Sequence, residues 1–98
     1  MARVAVVSPD LLFGSRIEGG LRAAGHEVVA SGDAPDVVIA DVERVDPGAV
    51  DGPVRLGYYP HTSVELRRRA EAAGFDLVVP RSRIARELPQ LVERLVAR

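Results

Sequence analysis

Few residues in this chain have side chains suited to chemistry, and aspartate, arginine, serine and histidine supply most of them. Asp41 closes the apolar run Val37 to Ala40, which puts a carboxylate at the carboxyl end of a strand, where ligands collect in open α/β sheets. His61 follows Tyr58, Tyr59 and Pro60 and can reach Asp41 as an acid/base pair; the plainer alternative makes it a loop residue just before a helix cap. Asp41 also has structural alternatives, a fixed ion pair with Arg81 or a cap on the adjoining turn. Arg81 and Ser82 precede a helix, and backbone amides and dipole at such an end can hold an anion or nucleotide. His26 lies far from His61 in sequence and suggests no two-histidine metal site. Gly14, Gly19 and Gly20 lack dinucleotide-loop spacing and fall within a helix pattern.

What is missing narrows the chemistry further. All 13 basic residues are arginine, which excludes Schiff-base chemistry and the lysine of a phosphate-binding loop. With no cysteine, thiol catalysis, disulfides and cysteine zinc sites are excluded as well. Residues 1–61 carry five Arg against nine acids, and residues 62–98 carry eight Arg against five, so a net charge of -1 hides a basic tail. Arg67, Arg68 and Arg69, and Arg81, Arg83 and Arg86, have no interleaved aromatics and read as solvated helix faces. A pI near 6.1 likewise argues against nucleic acid as the partner. No apolar run nears the roughly 20 residues of a membrane helix, and Met1-Ala2-Arg3 opens no signal peptide. A cytoplasmic, non-enzymatic protein without membrane contact is the expectation.

These side chains need a scaffold, and 98 residues allow one domain, 1–98. Val4 to Val7, Val28 to Ala30, Val37 to Ala40, Val54 to Tyr59 and Leu77 to Val79 read as strands. Consecutive apolar positions fit parallel strands covered on both faces. Ser8-Pro9 supplies a cap and a first-turn proline for a helix through Phe13, Ile17, Leu21 and Ala24, stopped by Gly25. Thr62-x-x-Glu65 is a capping box opening a helix through Ala73, with Gly74 as its stop. Ile84, Leu88, Leu91, Leu95 and Val96 make a last stripe; Pro89 predicts a turn over 83–87 and a helix from about Leu88. Only five residues, Ser31 to Pro35, separate strands two and three, too few for a crossover helix. Between strands three and four there is room for a short turn from Asp46 to Val50 at most.

The order of these motifs resembles the response-regulator receiver family. "RVAVVSPDLLFGSRIEGGLRAAGHEVV" is similar to that family's first strand, first helix and second strand, and "APDVVIADV" to its third strand. "GPVRLGYYPHTSVELRRRAEAAGFDLVVPRS" resembles the fourth strand, fourth helix and fifth strand. The resemblance implies a flavodoxin-like α/β fold: an open parallel five-stranded sheet, order 2-1-3-4-5, here with the helices after strands 2 and 3 missing or reduced. It also implies signal transduction by phosphorelay.

Carried over by position, the resemblance makes Asp41 the phosphoacceptor and Arg81 the counterpart of the family's conserved lysine. Tyr58, or Gly57 one residue earlier, takes the place of the switch hydroxyl, and Val78 that of the switch aromatic. Where the family has two magnesium-binding acids after its first strand, this chain has Ser8 and Pro9, with Asp10 beyond. Ser8, Asp10, Tyr58, His61, Arg81 and Ser82 are therefore the expected site lining around Asp41. Magnesium prefers hard oxygen ligands in near-octahedral array, and the changed donors predict no cofactor; magnesium enters only if Asp41 is an ordinary phosphoacceptor. Absence of two covering helices predicts an exposed apolar sheet face at Val29, Val37, Val38 and Ile39, with Arg55 as a sign that the face is wet. A homodimer or protein partner is expected to cover it. The expected function is an atypical receiver acting as an interaction module, the alternative a single-domain regulator phosphorylated on Asp41.

Overall fold

A computed structural model describes residues 2–60 and 63–97. Five β-strands form from the Val-rich runs: β1 (Arg3–Val7), β2 (Glu27–Val28), β3 (Val37–Asp41), β4 (Arg55–Tyr59) and β5 (Leu77–Pro80). They build one parallel sheet in the order β2-β1-β3-β4-β5, as expected. All of β3 is buried, as a central strand covered on both faces requires.

Three helices lie between or after the strands: α1 (Leu11–Ala23), α2 (Val64–Ala72) and α3 (Arg81–Val96). The cap of α1 is Asp10 rather than Ser8: its Oδ1 accepts from the Phe13 amide at 3.1 Å. Ser8 is not free to cap because its hydroxyl is engaged by a residue fifty positions away, described below. Ser63 caps α2; Thr62, the expected cap, lies outside the described residues. Both α1 and α2 end in the same way. Gly25 (φ +88) and Gly74 (φ +95) take the left-handed backbone, and His26 N–H then bonds Leu21 C=O while Phe75 N–H bonds Ala70 C=O, satisfying orphan carbonyls.

The expected turn over 83–87 is instead helix. Helical structure runs from Arg81, broken at Glu87 alone (φ -124, ψ 15). Pro89 cannot donate to the helix and disfavours α geometry just ahead of it, but Ile84, Leu88, Leu91, Val92 and Leu95 are all buried in one core. Burial on both sides of the break holds the two segments in line, and the strain is confined to a kink.

That core joins α1 and α3 to one sheet face, with Val4, Val37, Ile39, Leu56, Tyr58 and Val79. On the other face Ala5, Val38, Ala40 and Val78 pack with Val42, Val50, Tyr59, Ala70 and Phe75. The crossover helices are reduced as expected: residues 29–36 hold no helix, and only a 3-10 turn, Pro47–Ala49, is helical between β3 and β4. The predicted exposed face, however, is corrected. Val37, Val38 and Ile39 are 0% exposed and Val29 is half-buried: Val37 and Ile39 lie under α1 and α3, and Val38 is covered from the other side by Val42 and Val50 of the loop after β3. Arg55 is likewise no sign of a wet face. Its guanidinium donates to the carbonyls of Val50 (3.1 Å) and Gly74 (2.9 Å) and stands 5.2 Å over the Phe75 ring, tying that loop and the end of α2 to the sheet.

Candidate functional site

The carboxyl ends of β1, β3, β4 and β5 converge on one edge of the sheet, and all the predicted side chains that the structure describes lie there. Asp41 is the last residue of β3 and only 6% exposed. Its Oδ1 accepts from the amides of Glu43 (3.0 Å) and Arg44 (3.3 Å), and Oδ2 stands 4.0 Å from Arg44 Nε. Of the two structural alternatives for Asp41, the turn cap is the one observed.

The Asp41–Arg81 ion pair is not observed: Arg81 Nη2 donates to Asp10 Oδ2 at 2.6 Å. The guanidinium also stacks over the Phe13 ring, 4.0 Å from its centroid, and Phe13 meets Tyr58 edge-on at 5.1 Å. Tyr58 donates to Ser8 Oγ at 2.6 Å, and Ser8 donates to the Asp10 carbonyl at 3.3 Å. A continuous polar and aromatic belt thus runs from β5 through α1 and the β1 end to β4. The register pairs Tyr58 with Asp41, so Tyr58, not Gly57, occupies the position opposite the acid. Gly57 is required by packing instead, since a Cβ there would come within 2.7 Å of Val42 and 3.0 Å of Phe75.

Charge states follow from these contacts. The Phe13 amide, then the Arg81 guanidinium, hold the Asp10 carboxyl below its ordinary range, since both stabilise the ionised form. Burial pushes the Tyr58 phenol up, opposed by its bond to Ser8, with the negative charges of Asp41 and Asp10 adding to the rise. Tyr58 is a neutral donor at pH 7.

Ser82 is exposed; only its carbonyl is used, accepting from Arg86 Nε at 3.4 Å. His61 lies outside the described residues. Two participants are not evident from sequence. Phe13 reads there as ordinary helix core, and Arg44 carries only one signal, its three-residue spacing from Asp41.

Magnesium does not fit these donors. Both carboxylate oxygens of Asp10 are occupied, one by an amide and one by a guanidinium whose positive charge would face the ion. Ser8 Oγ is bound to Tyr58, Pro9 offers no side-chain oxygen, and Asp41 remains as a single carboxylate already engaged by two amides. Among the described residues no group of three or more His, Cys, Asp or Glu is arranged to hold a metal ion.

No family model matches this sequence, and no curated protein matches it. Solved structures do match. A candidate response regulator from Chloroflexus aurantiacus superimposes with a TM-score of 0.85 at 20% identity, over 99% of this chain and 98% of that one. The non-phosphorylated HemR receiver domain from Leptospira biflexa gives 0.76 at 18% identity, over 100% and 96%. A response regulator from Thermotoga maritima gives 0.77 at 14% identity, over 98% of each. The fold is that of a response-regulator receiver domain, α/β and flavodoxin-like, in a shortened form. Among the described residues no helix is long and apolar enough to cross a membrane.

Proposed function

We propose that this chain is an atypical receiver: a non-enzymatic signalling or regulatory module in the cytoplasm that works by binding a protein partner or a second copy, without magnesium-dependent phosphorylation of Asp41. One observation carries this reading. The 2.6 Å pair between Arg81 and Asp10 places a permanent cation against the carboxylate that a divalent ion would need. Phosphoryl transfer depends on positioning and on neutralising the equatorial oxygens. Here the nearest basic group of the β5 end is committed to another acid, and Asp41 is committed to a turn. Arginine is also a planar, bulky donor that does not reproduce a compact ammonium.

The test is incubation with acetyl phosphate and magnesium followed by intact-mass measurement. Wild type is expected to show no phosphoryl adduct. An adduct that requires magnesium and disappears in Asp41→Asn would establish instead the single-domain regulator phosphorylated on Asp41. Light scattering coupled to size exclusion separates a homodimer from a module that binds another protein.

A further inference from the structure

A cavity of about 680 Å³ opens between α1 and α3, within the roughly 300–1,000 Å³ of sites that enclose small organic molecules. Its walls are apolar: Phe13, Ile17 and Ala23 of α1 stand with Ile84, Leu88 and Pro89 of α3. Its only ionisable lining residue is Arg16, which is exposed and makes no ion pair or hydrogen bond among the described residues. A mostly apolar cleft with one uncommitted polar group is the usual make-up of a small-molecule site.

The fold does not account for Gly19, which also lines the cavity. Glycine inside a helix costs stability relative to alanine, and a Cβ at Gly19 would meet nothing within 4 Å. At Gly20, another lining residue, a Cβ would come 3.5 Å from Leu88, an ordinary contact. Neither glycine is required by packing, yet both leave the α1 wall without a side chain.

Charge and size select the occupant. No carboxylate lines the cavity, so a ligand cation would meet only Arg16 and be repelled, whereas a carboxylate matches the planar guanidinium. One cation balances one negative charge; a phosphate dianion would leave its second charge uncompensated against apolar walls. The cavity also touches the polar belt. Phe13, one of its walls, carries the Arg81 guanidinium 4.0 Å over its ring centroid and meets Tyr58 edge-on at 5.1 Å, so a body lying against Phe13 bears on the ring that both belt residues contact. We propose that the cavity binds a small apolar carboxylic acid, its carboxylate paired with Arg16 and its body against Phe13, Ile17 and Leu88, and that this ligand is the module's input in place of a phosphoryl group. The role as input rests on Asp41 taking no phosphoryl group. Acetyl phosphate tests only Asp41 and the titration below tests only the cavity, so each can fail alone.

Three probes that share one naphthyl body, 2-naphthylacetate, 2-naphthylethanol and 2-naphthylethylamine, are titrated into the 15N-labelled full chain. The acid is expected to shift amides of 13–24 and 84–88 and, through Phe13, those of Ser8, Asp10 and Tyr58. The alcohol should bind about fivefold more weakly than the acid, and the amine more weakly still. Arg16→Gln is expected to bring the acid down to the alcohol. Gly19→Leu is expected to weaken the acid by more than about tenfold, while Gly19→Ala raises Tm by a few degrees, showing that the fold gains nothing from the glycine. The binding site is overturned by no shifts with the acid at millimolar concentration, by shifts centred elsewhere, by an acid preference that survives Arg16→Gln, or by anionic phosphatidylserine vesicles saturating the same amides where the free acid does not. Shifts confined to the cavity, with Ser8, Asp10 and Tyr58 unmoved, overturn the role as input.

Discussion

The two faces of the sheet are closed by opposite means. Under α1 and α3, large side chains on helices of 13 and 16 residues meet large side chains on the strands, among them Leu56, Ile39 and Tyr58. The other face has one nine-residue helix, a 3-10 turn and a loop, and its strands include small residues, Ala5, Ala40 and Gly57, the last with Val42 and Phe75 packed directly against it. Loss of crossover helices has not left apolar sheet in water. The sheet itself has become shallower there, and the loop is held down by a guanidinium bonded to two carbonyls. A helix brings its own backbone hydrogen bonds, whereas a loop needs other groups to satisfy its carbonyls, and Arg55 is that partner.

This contrast predicts unequal tolerance to cavities. Leu91, 1% exposed in α3, sits between rigid elements, so Leu91→Ala should lose about 3 kcal/mol in urea denaturation. Val50, 4% exposed on the loop, can settle into the space it vacates, and Val50→Ala should lose about 1 kcal/mol. Equal losses per deleted carbon would break the comparison. Arg55→Met should fall between these two, at about 1–2 kcal/mol. Its effect should be regional: faster amide exchange over 42–54 with α1 and α3 unchanged. Uniformly faster exchange would mean that Arg55 supports the whole fold and not the loop-covered face.

The strands and the missing helices are legible because parallel strands announce themselves as short Val-rich runs, and because Gly25 and Gly74 stop their helices where the local pattern says they should; the strand order follows only from the resemblance to receivers. The errors all come from non-local competition. Ser8 looks like a cap until Tyr58, from β4, takes its hydroxyl; Asp10 then caps α1 and draws in Arg81 from the start of α3. Pro89 looks like a helix break until burial of Ile84 and Leu88 on either side reduces it to a kink. Val38 looks exposed if loops are assumed not to cover a sheet, Val37 and Ile39 face α1 and α3 on the other side, and nothing in the sequence near Arg55 shows that its guanidinium will hold the loop down. Asp41 was located correctly at a strand end, but its choice between Arg81 and the turn depended on Asp10 having claimed Arg81 first.

The smallest effects belong to the polar belt, which closes the top of the helix-covered face, and pH distinguishes its two halves. Tyr58→Phe removes the donor to Ser8 and should cost about 1 kcal/mol at pH 7. The unfolded phenol ionises near 10.0, whereas burial holds the folded one above that value. The stability contributed by the neutral phenol is therefore complete below pH 10 and falls as pH rises beyond it, and Tyr58→Phe should lose that alkaline decline. The Asp10 half has the opposite sign. Its folded carboxyl titrates below the ordinary 3.8, so the contribution of the ionised form is complete above that pH and disappears as pH falls through the folded value. Asp10→Asn keeps an equally good helix cap but removes the charge facing Arg81. The variant should therefore be slightly less stable than wild type at pH 7, and the two acid-denaturation curves should converge below pH 3.8. A difference that persists unchanged into strong acid would mean that Asp10 acts through its cap alone and that the 2.6 Å contact with Arg81 adds nothing to the closure of this face.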